Sequence, residues 1–504
     1  MFKGQPKGLF ALALANTGER FGYYTMLAVF ALFLRANFGL EAGTAGAIYS
    51  SFLMLVYFMP LLGGIFADKF GFGKMVTIGI SIMFIGYLLL SVPLGGDTLA
   101  MIAMLIALLL ISVGTGLFKG NLQVMVGNLY DDPQFASKRD SGFSLFYMAI
   151  NIGALFAPTA AVKIKEWAEL SLGFSGNDAY HFSFAVACAA LIFSICIYYI
   201  FRPTFRHVEG GERKKGEEAA EDTLTPAETK SRMTALFLVF AVVIFFWMAF
   251  HQNGLTLTYF ADEFTEKTSS GLQSMAFNVW NLVLVIIGVY GTFSIFQSEK
   301  TSGKFISAGI VAAVIAILVY KYLHLSGPIS VSAPIFQQFN PFYVVALTPV
   351  SMAIFSALAA KKKEPSAPRK IAYGMLVAAA GFIIMAIASL GLLTPDAQKA
   401  AGDAGTFCSA NWLITTYLVL TFAELLLSPM GISFVSKVAP PKYKGMMMGC
   451  WFVATALGNL LVSVGGFLWG NIPLWIVWSV FTGLCLLSAL FMFAMMKKLE
   501  AATK

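Results

Sequence analysis

Apolar residues run through this chain in long stretches, each near the length that crosses a lipid bilayer, separated by short polar segments. A hydrocarbon layer about 30 Å thick takes about 20 helical residues. By length and hydropathy, fourteen spans are predicted: 8–36, 44–67, 74–92, 98–121, 143–164, 180–201, 233–260, 275–296, 304–323, 337–360, 371–393, 411–437, 444–468 and 472–496. Most connections are short, so consecutive helices should be antiparallel neighbours. The first span is interrupted by polar residues. Asn16, Glu19, Arg20, Tyr23, Tyr24 and then Leu27 follow i, i+3, i+4, i+7, i+8, i+11, which is one helix face. A charge at the centre of a span costs about 2.5 kcal/mol or more unless paired or wetted. That face therefore looks into protein or a water-filled cavity, either as an ion pair joining helices or as part of a functional site.

One segment breaks the apolar pattern. From 202 to 232 the chain is charged and Ala-rich, with Glu212, Arg213, Lys214, Lys215, Glu217 and Glu218. It reads as a solvated linker, disordered or loosely helical. Six spans precede it and eight follow. A linker over 202–232 after six spans suggests two bundles joined at the middle, over 1–201 and 233–504. The spans 275–296 and 304–323 hold few charges and read as peripheral. The fold class is an all-α membrane protein. Ligands of such proteins bind near the midplane, between the bundles.

Composition agrees. The chain is 58% hydrophobic and 12% charged, whereas soluble domains are about a quarter charged. The net charge of +8 needs no nucleic-acid partner. With the N-terminus inside, Lys69, Lys74, Lys138, Lys300, Lys304, Lys437 and the Lys361–Lys363 cluster fall on the cytoplasmic side, and the exterior keeps only a few cations such as Arg35, Lys163 and Lys267. That asymmetry places both termini in the cytoplasm. The short basic start before a long first span does not read as a cleavable signal. Cys188, Cys196, Cys450 and Cys485 lie in apolar runs and Cys408 in an exterior segment, so no disulfide framework is expected. His181, His207, His251 and His324 form no cluster with metal or nucleophile spacing, so neither a cofactor nor an enzyme is indicated. A channel would favour rings of like residues from repeated subunits.

Several short motifs carry chemistry. Gly63, Gly64, Ala67, Asp68, Gly71, Gly73 and Lys74 suggest a Gly-rich cytoplasmic turn, with Asp68 placed to accept from a helix start or a cation. Lys119 and Asn121 sit in G-T-G-L-F-K-G-N; the lysine could snorkel to the interface. Asn151 follows Phe146 and Tyr147 in F-Y-M-A-I-N-I-G-A and could simply bond a neighbouring helix. His251 lies inside a span after Phe246 and Trp247, and its ordinary pKa makes it a natural proton carrier. Gln337 and Asn340 precede Pro341, a polar pair beside an expected kink. Glu424 lies mid-span, four residues before an expected helix break at Ser428-Pro429. A carboxylate there is costly as mere packing.

In this order, together with W-F-V-A-T-A-L-G-N from Trp451 to Asn459, these motifs resemble the proton-dependent oligopeptide transporters, a branch of the major facilitator superfamily. The resemblance covers nearly the whole chain. It implies the major facilitator fold of two six-helix bundles, here plus two additional helices: 1–201 as the first bundle, 233–274 as the first helix of the second and 333–504 as its remainder, with 275–332 an additional two-helix hairpin. It implies import of di- and tripeptides by proton symport with alternating access. It implies that Glu19 and Arg20 belong to the first-helix motif linked to proton coupling; His251 and Glu424 are read as joining that set. Arg20 and Lys119 would hold the peptide carboxylate, and Glu424 the amino group, with Ser428 also in the substrate site. Asn151 and Asn340 would bond the peptide backbone; Tyr24, Tyr57, His251 and Trp451 would complete the substrate site. The short segment 394–408, where animal relatives carry a large exterior domain, points to a bacterial protein of the inner membrane. The partners implied are peptide, protons and the bilayer, around a monomer.

Three positions depart from the family pattern. Asn16 stands where a glutamate is usual, Leu27 where a second arginine is usual, and His251 where a glutamate is common. Asn16 cannot titrate, so Glu19 and His251 are expected to share the proton work. The alternative is a carrier of the same family with weakened coupling, or with a nitrate, amino-acid or drug-like substrate.

Overall fold

The computed structural model describes residues 4–210, 224–440 and 443–502. Among these, fourteen helices are long and apolar enough to cross a membrane. They are α1 (Lys7–Phe38), α2 (Ala42–Phe70), α3 (Phe72–Leu90), α4 (Thr98–Asn128), α5 (Arg139–Leu172), α6 (Gly176–Ile200), α7 (Pro226–Phe250), α8 (Val279–Gln297), α9 (Thr301–Leu323), α10 (Phe339–Ala360), α11 (Ala367–Ala388), α12 (Asn411–Val438), α13 (Lys444–Leu461) and α14 (Leu474–Ala494). Helices α1–α6 form one bundle, with α1 against α5 and α6, and α4 against α2 and α3. Helices α7 and α10–α14 form the second, with α11 against α12 and α14, and α7 against α13. The bundles meet where α2 packs on α13 and α5 on α10. The pair α8–α9 packs on itself and docks on α10, where the Tyr290 hydroxyl donates to the Val345 carbonyl (3.1 Å).

The polar segment after α6 is partly built into the fold. Short 3-10 turns cover Arg202–Thr204 and Arg206–Val208, and Phe205 between them is fully buried. The Glu209 carboxylate accepts from the Arg202 guanidinium (2.8–3.0 Å) and the Tyr198 hydroxyl (2.8 Å), and its carbonyl accepts from the Gly73 N–H (3.1 Å). The charged centre of the expected linker, 211–223, lies outside the described residues. Helix α7 then begins at 226 rather than 233. Thr225 and Glu228 form a reciprocal capping box with Pro226 at the first helical position, a start signal that hydropathy does not register.

Other boundaries shift for similar reasons. The expected turn over 63–74 shrinks to Gly71, whose positive φ (95°) links α2 directly to α3; Asp68 is exposed on the last turn of α2. Pro341 makes no kink: it lies in the first turn of α10, after a 3-10 turn over Ala333–Gln338, where its missing N–H costs nothing. Helix α12 runs unbroken through Pro429, where a break was expected.

The breaks fall elsewhere. Helix α7 stops at Phe250, passes through a 3-10 turn over His251–Gly254, and resumes as Thr256–Glu263. Helix α13 stops at Leu461 and resumes as Ser463–Phe467. Gln252 joins the two breaks. Its amide nitrogen donates to the carbonyls of Met248 (3.1 Å) and Val462 (3.0 Å), and its oxygen accepts from the Thr256 hydroxyl (2.7 Å). Backbone groups released at membrane depth are thereby satisfied within protein.

The bundles are fastened at the end of α1 remote from the N-terminus. There Gly46 of α2 faces Gly466, and a side chain at Gly466 would come within 2.7 Å of the Ala42 carbonyl. Arg35 of α1 ion-pairs with Glu263, lies over the Tyr259 ring (4.6 Å), and shares Glu263 with the Trp469 indole N–H (3.0 Å).

Candidate functional site

Glu19 and Arg20 hold each other. The guanidinium donates twice to the neighbouring carboxylate, both at 2.5 Å, and sits 4.4 Å from the Tyr23 ring centre. The two side chains are 0% and 2% exposed. Burying a pair so completely is weak evidence for stability, because desolvation offsets the attraction. On the same helix Asn16 is buried with its side-chain oxygen unpartnered among the described residues, and Leu27 packs against the core.

Helix α4 crosses α2 at Gly63 and Gly116, and Asn121 pins the crossing by donating to the carbonyls of Gly63 (3.1 Å) and Leu117 (2.8 Å). Two residues before Asn121, the half-buried Lys119 ammonium lies 4.6 Å over the Tyr57 ring. Among the described residues it has no carboxylate within ion-pair distance.

In the second bundle, Asn340 at the start of α10 donates to the Glu424 carboxylate (2.9 Å) and the Thr421 hydroxyl (3.1 Å). Glu424 has no cation within ion-pair distance among the described residues. Its electrostatic neighbours are the phenols of Tyr24, Tyr57 and Tyr147 from the first bundle, and Tyr24 is also in reach of Arg20. His251 begins the break in α7. Its ring stacks on Trp247 (5.0 Å), faces Tyr57 (6.0 Å) and hydrogen-bonds through Nδ1 to the Asn459 side-chain oxygen.

The structure thus gathers Arg20, Tyr24, Tyr57, Lys119, His251, Asn340 and Glu424 around the seam between the bundles. Three expected residues stand differently. Asn151 donates to the Tyr147 carbonyl of its own helix (3.1 Å). Trp451 is 3% exposed, packed on the backbone at Gly431 and 6.4 Å from Phe240. Ser428 is half-buried one turn beyond Glu424. Two residues that hydrogen-bond side chains of the site were not singled out in sequence. Thr421 could have been found by its i, i+3 spacing from Glu424; Asn459 is only the last letter of an otherwise apolar tract.

Charges of both signs, held unpaired at the seam of two membrane-spanning bundles, define a membrane transporter. A family model described as POT family matches residues 73–221 and 322–467, more than half of the chain, and leaves α8 and most of α9 outside the match. The chain belongs to the POT family, a family of transporters and not of enzymes. It is 30% identical to an uncharacterized transporter of Bacillus subtilis (strain 168), YclF, over 94% of this chain and 90% of that one. It is 28% identical to the di-/tripeptide transporter of Lactococcus lactis subsp. lactis (strain IL1403), over 91% of this chain and 89% of that one. Among solved structures it matches a peptide transporter POT in complex with sulfate at 26% identity, with a TM-score of 0.67 over 100% of this chain and 96% of that one. A POT family transporter in complex with 5-aminolevulinic acid shares the fold at 20% identity and a TM-score of 0.75, over 99% of this chain and 98% of that one. The fold is therefore the major facilitator fold with two additional helices, in a multi-pass membrane protein.

Proposed function

We propose that this protein imports di- and tripeptides by proton symport, as a monomer in a bacterial inner membrane with both termini cytoplasmic. The observation that carries the reading is that Lys119 on one bundle and Glu424 on the other each lack an ion partner among the described residues while both neighbour Tyr57. Every short peptide ends in an ammonium and a carboxylate. A cavity that offers a carboxylate and an ammonium reads those ends and leaves the side chains to apolar surfaces.

In this reading Lys119, with Arg20, holds the peptide carboxylate. Glu424, oriented by Asn340, holds the amine. Tyr24, Tyr57 and Tyr147 wall the space between. Glu19 and His251 carry the proton, since Asn16 cannot. Alternating access follows from the seam: the bundles are fastened through Arg35–Glu263 at one end, and exchanging that closure for one at the other end exposes the midplane site to each side in turn.

A second substrate class is favoured by Leu27. With no arginine there, the carboxylate end has one anchor fewer, and the remaining charges suit any small molecule with an amine and a carboxylate. The POT family structure in complex with 5-aminolevulinic acid is of that chemical kind.

The test is uptake of labelled dialanine into proteoliposomes with and without an inward proton gradient, alongside exchange against internal dialanine. Gradient-driven accumulation supports the reading. Exchange without accumulation leaves a peptide site without coupling, and neither turns attention to other amine-bearing acids. His251→Gln should abolish accumulation and leave exchange intact.

A further inference from the structure

Asn459 is wholly buried beside the break in α7. It gets there because α13 lies directly on α7: a side chain at Gly458 would come within 2.5 Å of the Ile244 carbonyl and 2.8 Å of the Trp247 Cβ. The Asn459 oxygen takes the bond from His251 Nδ1. The other end of the same amide, Nδ2, is buried and has no partner among the described residues. Leaving a buried donor unsatisfied costs about 1–3 kcal/mol. A leucine of nearly the same shape would fill the space without that cost, so packing does not account for an asparagine here.

The bond to His251 does. An amide oxygen can only accept, so His251 Nδ1 carries a hydrogen, and Nε2 is bare in the neutral ring. When Nε2 takes a proton, the Nδ1–H bond to Asn459 is kept and becomes charge-assisted. Loading and unloading then need no turn of the ring. An amide also differs from a carboxylate in a way that matters: it sets the tautomer without holding the proton once it is there.

We propose that Asn459 is a positioning residue for proton coupling, keeping His251 in the tautomer whose Nε2 exchanges the proton. The proposal rests on the reading that His251 carries that proton. The other ionisable groups facing the break are the phenols of Tyr57 and Tyr49 from α2, Lys119 of α4 beyond Tyr57, and Tyr417 of α12, whose hydroxyl donates to the Asn253 carbonyl (3.0 Å). Among the described residues no carboxylate lies within ion-pair distance of the imidazole, so Asn459 is its one direct polar partner.

Two variants test this in proteoliposomes, each assayed for dialanine exchange and for the pH profile of gradient-driven uptake. Asn459→Leu should lower accumulation about tenfold, the value of one lost hydrogen bond to a charged group, and leave exchange unchanged. Asn459→Asp should keep accumulation but move its half-maximal pH upward by about one pH unit, as a carboxylate favours the imidazolium. If Asn459→Leu fails to fold, the profile of Asn459→Asp decides alone. Wild-type accumulation and an unmoved profile in the folded variants overturn the proposal; so does a parallel loss of exchange and accumulation, which marks a structural role. Wild-type accumulation by His251→Gln removes the parent reading instead, whatever the Asn459 variants do.

Discussion

The Lys119 ammonium rests 4.6 Å over the ring of Tyr57, shielded by an aromatic face rather than neutralised by a carboxylate. A cation held this way keeps its charge available to an incoming anion, and the ring contributes about 0.5–2 kcal/mol to holding it in place. Lys119→Gln should raise the KM for dialanine about tenfold or more. Inhibition by dialaninamide, which lacks the carboxylate, should change little. Competition assays with the two compounds separate an anchor from a structural lysine.

Glu424 and Asn340 make the complementary end. Glu424→Gln removes the charge that an ammonium would meet and should lose about tenfold or more in dialanine affinity. Asn340→Ala leaves the charge but frees the carboxylate to turn, so its loss should be smaller. Binding measured by thermal shift with dialanine and with N-acetyl-dialanine checks this, because the acetylated compound should not register either change.

The Arg35–Glu263 pair predicts how the remote end opens. Both side chains are partly exposed, at 24% and 19%, so the pair itself contributes modestly. The sensor is Cys408, whose backbone N–H bonds the Phe264 carbonyl next to Glu263 (2.8 Å). Burial pushes its thiol up to about 12, so almost no thiolate exists at neutral pH and a water-soluble maleimide should label it slowly. Raising the pH towards 12 should speed labelling about tenfold per pH unit. Arg35→Gln should speed it at neutral pH by opening the site, and a double Arg35→Glu, Glu263→Arg exchange should restore the slow rate.

Gly458 makes a stability prediction. A valine there would collide with the Ile244 carbonyl, and overpacking of this kind costs about 1–3 kcal/mol. Gly458→Val should lower the unfolding temperature in detergent and, by pushing α13 off α7, weaken acid-driven uptake as well.

The spans were legible in sequence because bilayer thickness sets the length of an apolar run, and fourteen were expected where fourteen stand among the described residues. Glu19, Lys119 and Glu424 stood out for the same reason: charge is costly in a span, and the structure buries the first and half-buries the other two. What the sequence obscured was geometry between distant helices. Hydropathy sees 233–260 as one uninterrupted run and cannot register that Gln252 bonds the Val462 carbonyl, which depends on α13 lying alongside. Pro429 misled in the opposite direction, since a membrane helix tolerates a proline that its neighbours accommodate. Asn459 stayed hidden because one amide in a tract of small and apolar residues says nothing until its partner, 208 positions away in the chain, is known.

The interruption of α7 at His251–Gly254 has a mechanical consequence. An intact helix is a rod, and tilting its tip to release Arg35 would drag its middle along. With the rod cut, the proposed alternating access asks only the fragment that ends in Glu263 to turn about the interruption, and the imidazole lies in that interruption rather than beyond it. In that reading the charge of the ring bears on the fragment at its pivot.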